Sequence, residues 1–208
     1  MTPQAALDRG LGELKLALPA SARQKLVAYL ELLAKWNKTF NLTAIRDPLQ
    51  MVSHHVLDSL AVLGALPAGH LADIGSGAGL PGIPIAIAEP ERPVVLVEAN
   101  HKKSSFLRQA VIELGLANSA VHVGRAEAWL PIERFAVVIS RAFAELAEFI
   151  ACCRHLAAAG GVLAAMKAGY PHDELARVTG QCDCSDVRRV VVPLLNAERH
   201  LVLCRMNT

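Results

Sequence analysis

The stretch Leu71 to Ile87, LADIGSGAGLPGIPIAI, limits what this chain can fold into more than any other. It opens as a short apolar strand ending at Asp73-Ile74, turns through glycines at 75, 77 and 79, and begins a helix near Gly82. A strand that passes directly into a helix belongs to an alternating strand–helix architecture. Glycines at alternate positions let the chain turn sharply and bring bare backbone N–H groups close to a ligand. The spacing is G-x-G-x-G and departs from the G-x-G-x-x-G of dinucleotide sites, because position 80 is leucine. A glycine turn alone is a weak signal, and a plain strand-to-helix turn would also explain it.

The segments that follow strengthen it. After Pro93, VVLVE forms a second buried strand closing on Glu98, and an acid at that tip is placed to bind ribose hydroxyls. Asn100 caps the next helix, and VHVG (121–124) and FAVVIS (135–140) read as two further strands. Asp73, the glycines, Glu98 and a polar residue after the third strand outline a nucleoside pocket, in the layout of an S-adenosylmethionine site.

Length and composition set the bounds. A chain of 208 residues, 53% hydrophobic, suits one α/β domain with an appendage and argues against disorder. Its apolar runs are short and broken by charge, so no membrane span is expected. No basic segment followed by an apolar one follows Met1, and the five cysteines are an odd count; both point to reduced thiols in the cytoplasm. The net charge of +2 neither demands nor excludes nucleic acid.

Residues 1–66 read as an N-terminal helical region and residues 67–208 as a single sheet domain. Thr2-Pro3 starts a helix to about Leu18, and Ser21 starts a second with Leu26, Tyr29, Leu30, Leu33 and Trp36 on its buried face. Asp47-Pro48 opens a third helix to about Leu63, carrying His54 and Asp58 on one side. Beyond the fourth strand, residues 141–159 are expected to be helical, GVLAAMKA (161–168) a fifth strand and 171–179 a short helix. RRVVVPLL and HLVLCRM would then form a terminal hairpin.

Five segments, WNKTFNLTAIRDP, HHVLDSL, DIGSGAGLPGIP, ISRAF and ERHLV, resemble the bacterial glucose-inhibited division protein B family of small-subunit rRNA guanine-N7 methyltransferases. The resemblance runs from about Trp36 to Val202, and DIGSGAGLPGIP is its most specific piece. It implies a class I methyltransferase fold: a mostly parallel, Rossmann-like seven-stranded sheet with the last strand antiparallel, behind an N-terminal helical region. It also implies S-adenosylmethionine as cofactor and the small ribosomal subunit or its 16S rRNA as partner. The implied target is a guanine of the 530 loop (guanine 527 in customary numbering). By motif match the cofactor contacts fall on Gly75, Leu80, Ala126, Glu127 and Arg141. Other members show Asp where this chain has Glu98, which reaches one methylene further.

Residue chemistry adds detail. Asp73 can accept from the methionine ammonium or brace the turn, and Gly75, Gly77 and Gly79 favour close ligand approach. Ser140-Arg141-Ala142-Phe143 lacks the Asn/Asp/Ser-Pro-Pro-aromatic motif used to align exocyclic amines, and no cysteine nucleophile lies between 136 and 146. Guanine N7 needs neither, since its in-plane lone pair attacks unaided once positioned. Arg141 is the candidate catalytic residue, expected to face an anion, either the cofactor carboxylate or a phosphate beside the target. The cysteines lack paired C-x-x-C spacing, so no metal is expected. His54, His55 and Asp58 have no paired nucleophile, and helix packing or bracing of the Asn37–Thr43 loop explains them more simply. Lys102, Lys103 and Arg108 are phosphate candidates, although a solvated helix face is the simpler explanation. A nicotinamide oxidoreductase would need a glycine at position 80. A non-catalytic, cofactor-sensing RNA-binding protein remains as the rival.

Overall fold

The structure is a computed structural model, and it describes every residue except Ala142, Ala144, Gln181 and residues 206–208. Ala142 of the ISRAF segment therefore lies outside the described residues.

Helix α1 (Pro3–Glu13) starts as the sequence implies, with the Ala5 N–H donating to Thr2 Oγ1 at 3.2 Å. It stops short of Leu18 because Lys15 takes a left-handed conformation (φ 57°), which a right-handed helix cannot continue through. Helix α2 (Ala20–Phe40) begins ahead of Ser21, with Pro19 as its extended cap, and ends at left-handed Asn41. Its apolar stripe is buried as expected, and half-buried Trp36 lies edge-on to Phe106 at 5.7 Å. The third predicted helix is broken into α3 (Pro48–Met51), a wider π turn (Val52–Leu57) and α4 (Asp58–Leu60), followed by a 3-10 turn (Leu63–Ala65).

The sheet domain alternates β1 (Leu71–Ile74), α5 (Gly82–Ala88), β2 (Val94–Glu98), α6 (His101–Glu113), β3 (Ser119–Val123) and β4 (Phe135–Ser140). It continues with α7 (Leu146–Cys153), β5 (Ala157–Lys167), α8 (His172–Val178), β6 (Asp183–Arg189) and β7 (His200–Arg205). The helix expected over 141–159 is only α7 and one 3-10 turn (Arg154–Leu156), and the alanines from 157 onward belong to β5. Pairing of Ala157 with Phe135 on β4 overrides alanine's local helical preference. The terminal hairpin forms, but its first strand lies earlier than RRVVVPLL. Pro193, which has no N–H to give a ladder, falls in the connection.

The strand order is β3-β2-β1-β4-β5-β7-β6. The β1–β2, β1–β4, β2–β3 and β4–β5 pairs are parallel, and β7 runs antiparallel to both neighbours. This is the sheet expected of a class I methyltransferase. Its two faces bury separate cores. Leu71, Val137 and Ile139 pack with α1, α2, α5 and α6, whereas Ala72, Val138 and Leu163 pack with α7 and Val178 of α8. Chain order reverses between β1 and β4, so a crevice is expected at the carboxyl ends of these strands.

One expectation about the cysteines fails. Cys184 on β6 and Cys204 on β7 are joined by a disulfide, while Cys152, Cys153 and Cys182 are free. The sequence gives no hint of this pairing, because the two sulfurs meet only when the hairpin forms.

Candidate functional site

The loop after β1 is a compact turn over the end of β2. The Gly75 and Ser76 N–H groups donate to Val97 O at 2.9 and 3.1 Å, and Ser76 Oγ donates to Asp73 O at 2.8 Å. Gly75, Gly77 and Gly79 all have positive φ (67°, 57° and 86°), so a side chain at any of them would be strained. They differ in surroundings. A Cβ at Gly75 would meet nothing within 4 Å, whereas one at Gly79 would strike Ile83 Cδ1 at 2.3 Å. The space beside Gly75 is open, as a ligand site requires; Gly79 serves packing. Leu80 is buried in the core, and its N–H donates to Ser76 O at 3.0 Å.

Two carboxylates hold this turn. Asp73 is fully buried and accepts the Gly82 N–H on Oδ2 at 2.9 Å, while its Oδ1 is buried without a hydrogen-bond partner. Burial pushes its carboxyl up to about 7, against the lowering effects of the Gly82 and Ser76 bonds and the Arg141 charge; Glu98 adds to the rise. Glu98, also buried, accepts the Gly77 N–H on Oε2 at 2.9 Å and the Asn100 N–H on Oε1 at 2.8 Å. Its carboxylate therefore ties the glycine turn to the cap of α6, and each oxygen retains a further lone pair for a hydroxyl donor.

Sequence reasoning missed Tyr29. From α2 its buried hydroxyl donates to Ala78 O at 2.7 Å, which ties the N-terminal helices to the glycine turn. Its place in an apolar stripe disguised a polar role. After β3, Ala126 is buried in the same core as Ile74 and Val97, while Glu127 is half exposed and 3.7 Å from Arg125. Both stand past the end of β3, at the same sheet edge as Asp73 and Glu98.

Arg141 follows β4, and Ser140 before it donates to Ile74 O at 2.8 Å. Its Nη1 donates to His54 O at 2.8 Å and lies 3.3 Å from Asp58 Oδ2. The π turn makes this possible: the Asp58 N–H bonds to Ser53 and His55 carbonyls, leaving the His54 carbonyl to the guanidinium. The anion that the structure places against Arg141 Nη1 is the chain's own Asp58. Asp58 Oδ1 is taken by Arg199 Nε at 2.9 Å. Arg199 sits in the ERHLV segment, yet the spacing of that segment did not mark it as a site residue. His55 Nε2 contacts Thr43 Oγ1 at 3.0 Å, and Asn37 pairs with the Thr43 backbone in both directions at 2.9 Å, so the Asn37–Thr43 loop is braced as expected. Burial, aided by the Arg141 charge, lowers the His55 imidazole to about 4 and keeps it neutral. A cavity of about 360 Å³ lies here, lined by Thr43, Ile45, His54, Asp58, Arg141 and Arg199 among others.

A mostly parallel sheet with one antiparallel strand, and a glycine turn, an acid and a crevice at its strand ends, together define a class I methyltransferase. Solved structures agree on the fold. A SAM-dependent methyltransferase from Aquifex aeolicus superposes with a TM-score of 0.58 at 16% identity, covering 84% of this chain and 98% of that one. The glycopeptide N-methyltransferase MtfA, complexed with S-adenosyl-L-homocysteine, gives 0.63 at 12% identity, covering 74% and 87%. At the sequence level, the profile of the GidB family, described as rRNA small subunit methyltransferase G, matches residues 22–202. The ribosomal RNA small subunit methyltransferase G of Laribacter hongkongensis is 51% identical over 196 residues, 94% of this chain and 95% of the relative. That of Chromobacterium violaceum is 50% identical over 199 residues, 95% of each. The chain belongs to the rRNA small subunit methyltransferase G (GidB) family.

Proposed function

We propose that this protein transfers a methyl group from S-adenosylmethionine to N7 of a guanine in the 530 loop of 16S rRNA, in the cytoplasm. Its substrate would be the rRNA itself or the small ribosomal subunit. Family membership supports the rRNA methyltransferase activity, and the crevice supports the cofactor. The cofactor would supply an electrophilic methyl on a sulfonium sulfur. Asp73 Oδ1, buried and unpartnered, fits its ammonium; the open space at Gly75 fits its methionine end; Glu98 fits its ribose hydroxyls. Ala126 and Glu127 complete the assignment at the adenine side, and Leu80 enters it by motif match alone. No helix among the described residues is long and apolar enough to cross a membrane.

The observation that carries the N7 reading is the state of the cavity beside Arg141. Among the described residues lining it, Asp58 is the only carboxylate, and two guanidiniums occupy it. The imidazole of His55 is held to Thr43 and is a weak base, and His54 lines the same cavity with its Nδ1 against Gln50 O and Ser53 Oγ. A reaction that required proton removal would have only the His54 imidazole to serve it, whereas N7 attack releases no proton and needs only alignment with the methyl. Arg141 then acts on charge and position. A cation directly beside N7 would oppose the charge the purine gains, and Asp58 and the His54 carbonyl draw the guanidinium aside.

Mapping N7-methylguanine in 16S rRNA from cells with and without this protein tests the proposal, with single-turnover transfer to purified small subunits as the direct assay. Loss of one N7-methylguanine in the 530 loop is the expected result. Unchanged methylation together with tight RNA and cofactor binding would favour a cofactor-sensing RNA-binding protein instead.

A further inference from the structure

Away from the crevice, three cysteine sulfurs meet at the β6–β7 hairpin. Cys184 lies in β6 and Cys182 in the bend just before it, and their side chains meet on one side. Cys204 reaches them from β7 and is joined to Cys184, while Cys182 is a free thiol with its Sγ 3.2 Å from Cys184 Sγ. All three sulfurs lie within 4.8 Å of one another and are buried. A cavity of about 310 Å³ adjoins them, and Cys182 and Cys184 form part of its wall with Tyr170, Val178 and Gly180.

We propose that Cys182, Cys184 and Cys204 form a thiol–disulfide exchange site that small thiols and dithiols reach through this cavity. A structural staple requires two sulfurs. A third in contact with the central one, brought into line with the Cys184–Cys204 bond by rotation of the Cys182 side chain, is what exchange requires. Cys182 gives its proton to solvent and its thiolate attacks Cys184 Sγ. The Cys182–Cys184 bond forms, the Cys184–Cys204 bond breaks, and Cys204 leaves as a thiolate that takes up a proton. No electrons enter or leave. A small dithiol can instead reduce the site: one of its thiols forms a mixed disulfide and the other resolves it. The two electrons end on two protein thiols, and the reductant leaves as its own disulfide.

Burial raises the Cys182 thiol, opposed by Arg154 and assisted by Asp183, so exchange quickens as pH rises. The exchange has a structural consequence. Linked to Cys204, Cys184 staples β6 to β7; linked to Cys182, it closes a small ring at the start of β6 and removes the covalent tie to β7, which is then held by its pairing with β5 and β6 alone.

The test equilibrates the full chain in buffers of reduced and oxidised glutathione, quenches with acid and an alkylating reagent, and maps the linkages by peptide mass spectrometry. Both Cys184–Cys204 and Cys182–Cys184 are expected, with dithiothreitol removing both. Cys204→Ser should form Cys182–Cys184 in oxidised glutathione. Cys182→Ser should slow exchange of the remaining disulfide with labelled glutathione about tenfold or more. The proposal is overturned if Cys184–Cys204 is the sole linkage at every ratio, or if Cys182 and Cys184 stay alkylatable in Cys204→Ser. Wild-type exchange rates in Cys182→Ser, or no disulfide in any buffer, would also overturn it.

Discussion

Asp73 carries two demands on one carboxyl group. One oxygen fixes the helix entry at Gly82 and the other is buried unpartnered, and burial raises the group from the usual 3.8 to about 7. Between those values the unfolded carboxyl has lost its proton while the folded one keeps it, so stability falls as pH rises. The contribution is whole below about 3.8 and is lost as pH passes about 7. A bound ammonium reverses this preference, because it binds the ionised form. S-adenosylhomocysteine affinity should therefore rise between about pH 6 and 7.5, below the ligand's own ammonium titration, by up to about tenfold per unit. Asp73→Asn should flatten both the affinity profile and the pH slope of stability. Calorimetric titration across that window checks it, and an unchanged slope in the variant would move the ammonium elsewhere.

At the scale of elements, the glycine turn separates ligand space from packing space, and two variants should tell them apart. Gly75→Ala introduces a Cβ at positive φ into open space, so the fold should lose only about 1–2 kcal/mol while cofactor binding falls sharply. Gly82→Ala puts a Cβ 2.3 Å from Leu96 Cδ2 and 2.7 Å from Asp73 Oδ2, an overpacked position expected to cost about 1–3 kcal/mol or more. Melting temperatures with and without S-adenosylhomocysteine resolve the two: the ligand should stabilise wild type and fail to stabilise Gly75→Ala. The turn, β1, β2 and the Asn100 cap could be read from sequence because their signals are local: glycine conformation, short apolar runs and a side chain that bonds its own helix. The segments from 141 to 161 and from 183 to 195 could not. Alanine-rich chain became β5 because a partner strand was already there, and Val191–Leu195 stayed out of the ladder although its valines favour strands. The break at Val52–Leu57 likewise left no pattern in the apolar spacing.

Across the whole molecule, Asp58 joins three segments that the sequence keeps far apart. It lies where the π turn passes into α4, Arg141 follows β4, and Arg199 precedes β7. Asp58 is almost fully buried and the two guanidiniums only partly so, with 4%, 26% and 22% of their side chains exposed. Such a network sets geometry more than it adds stability, since solvent still screens the arginines. No single segment could reveal it: an acid on a helix and two arginines at strand ends each have an ordinary surface reading alone. Arg141→Ala should keep the fold, because Arg199 still satisfies Asp58, yet slow methyl transfer roughly 10- to 150-fold, equivalent to about 1.5–3 kcal/mol. Asp58→Asn should slow transfer too, by letting both guanidiniums drift from the cavity wall. If Asp58 works through Arg141, adding Asp58→Asn to Arg141→Ala should cost clearly less than it does in wild type, with a coupling of about 0.5–3 kcal/mol. Single-turnover rates and urea melts on the four proteins of that cycle decide the matter. Strictly additive losses would mean that Asp58 supports the fold through Arg199 and leaves Arg141 to act alone.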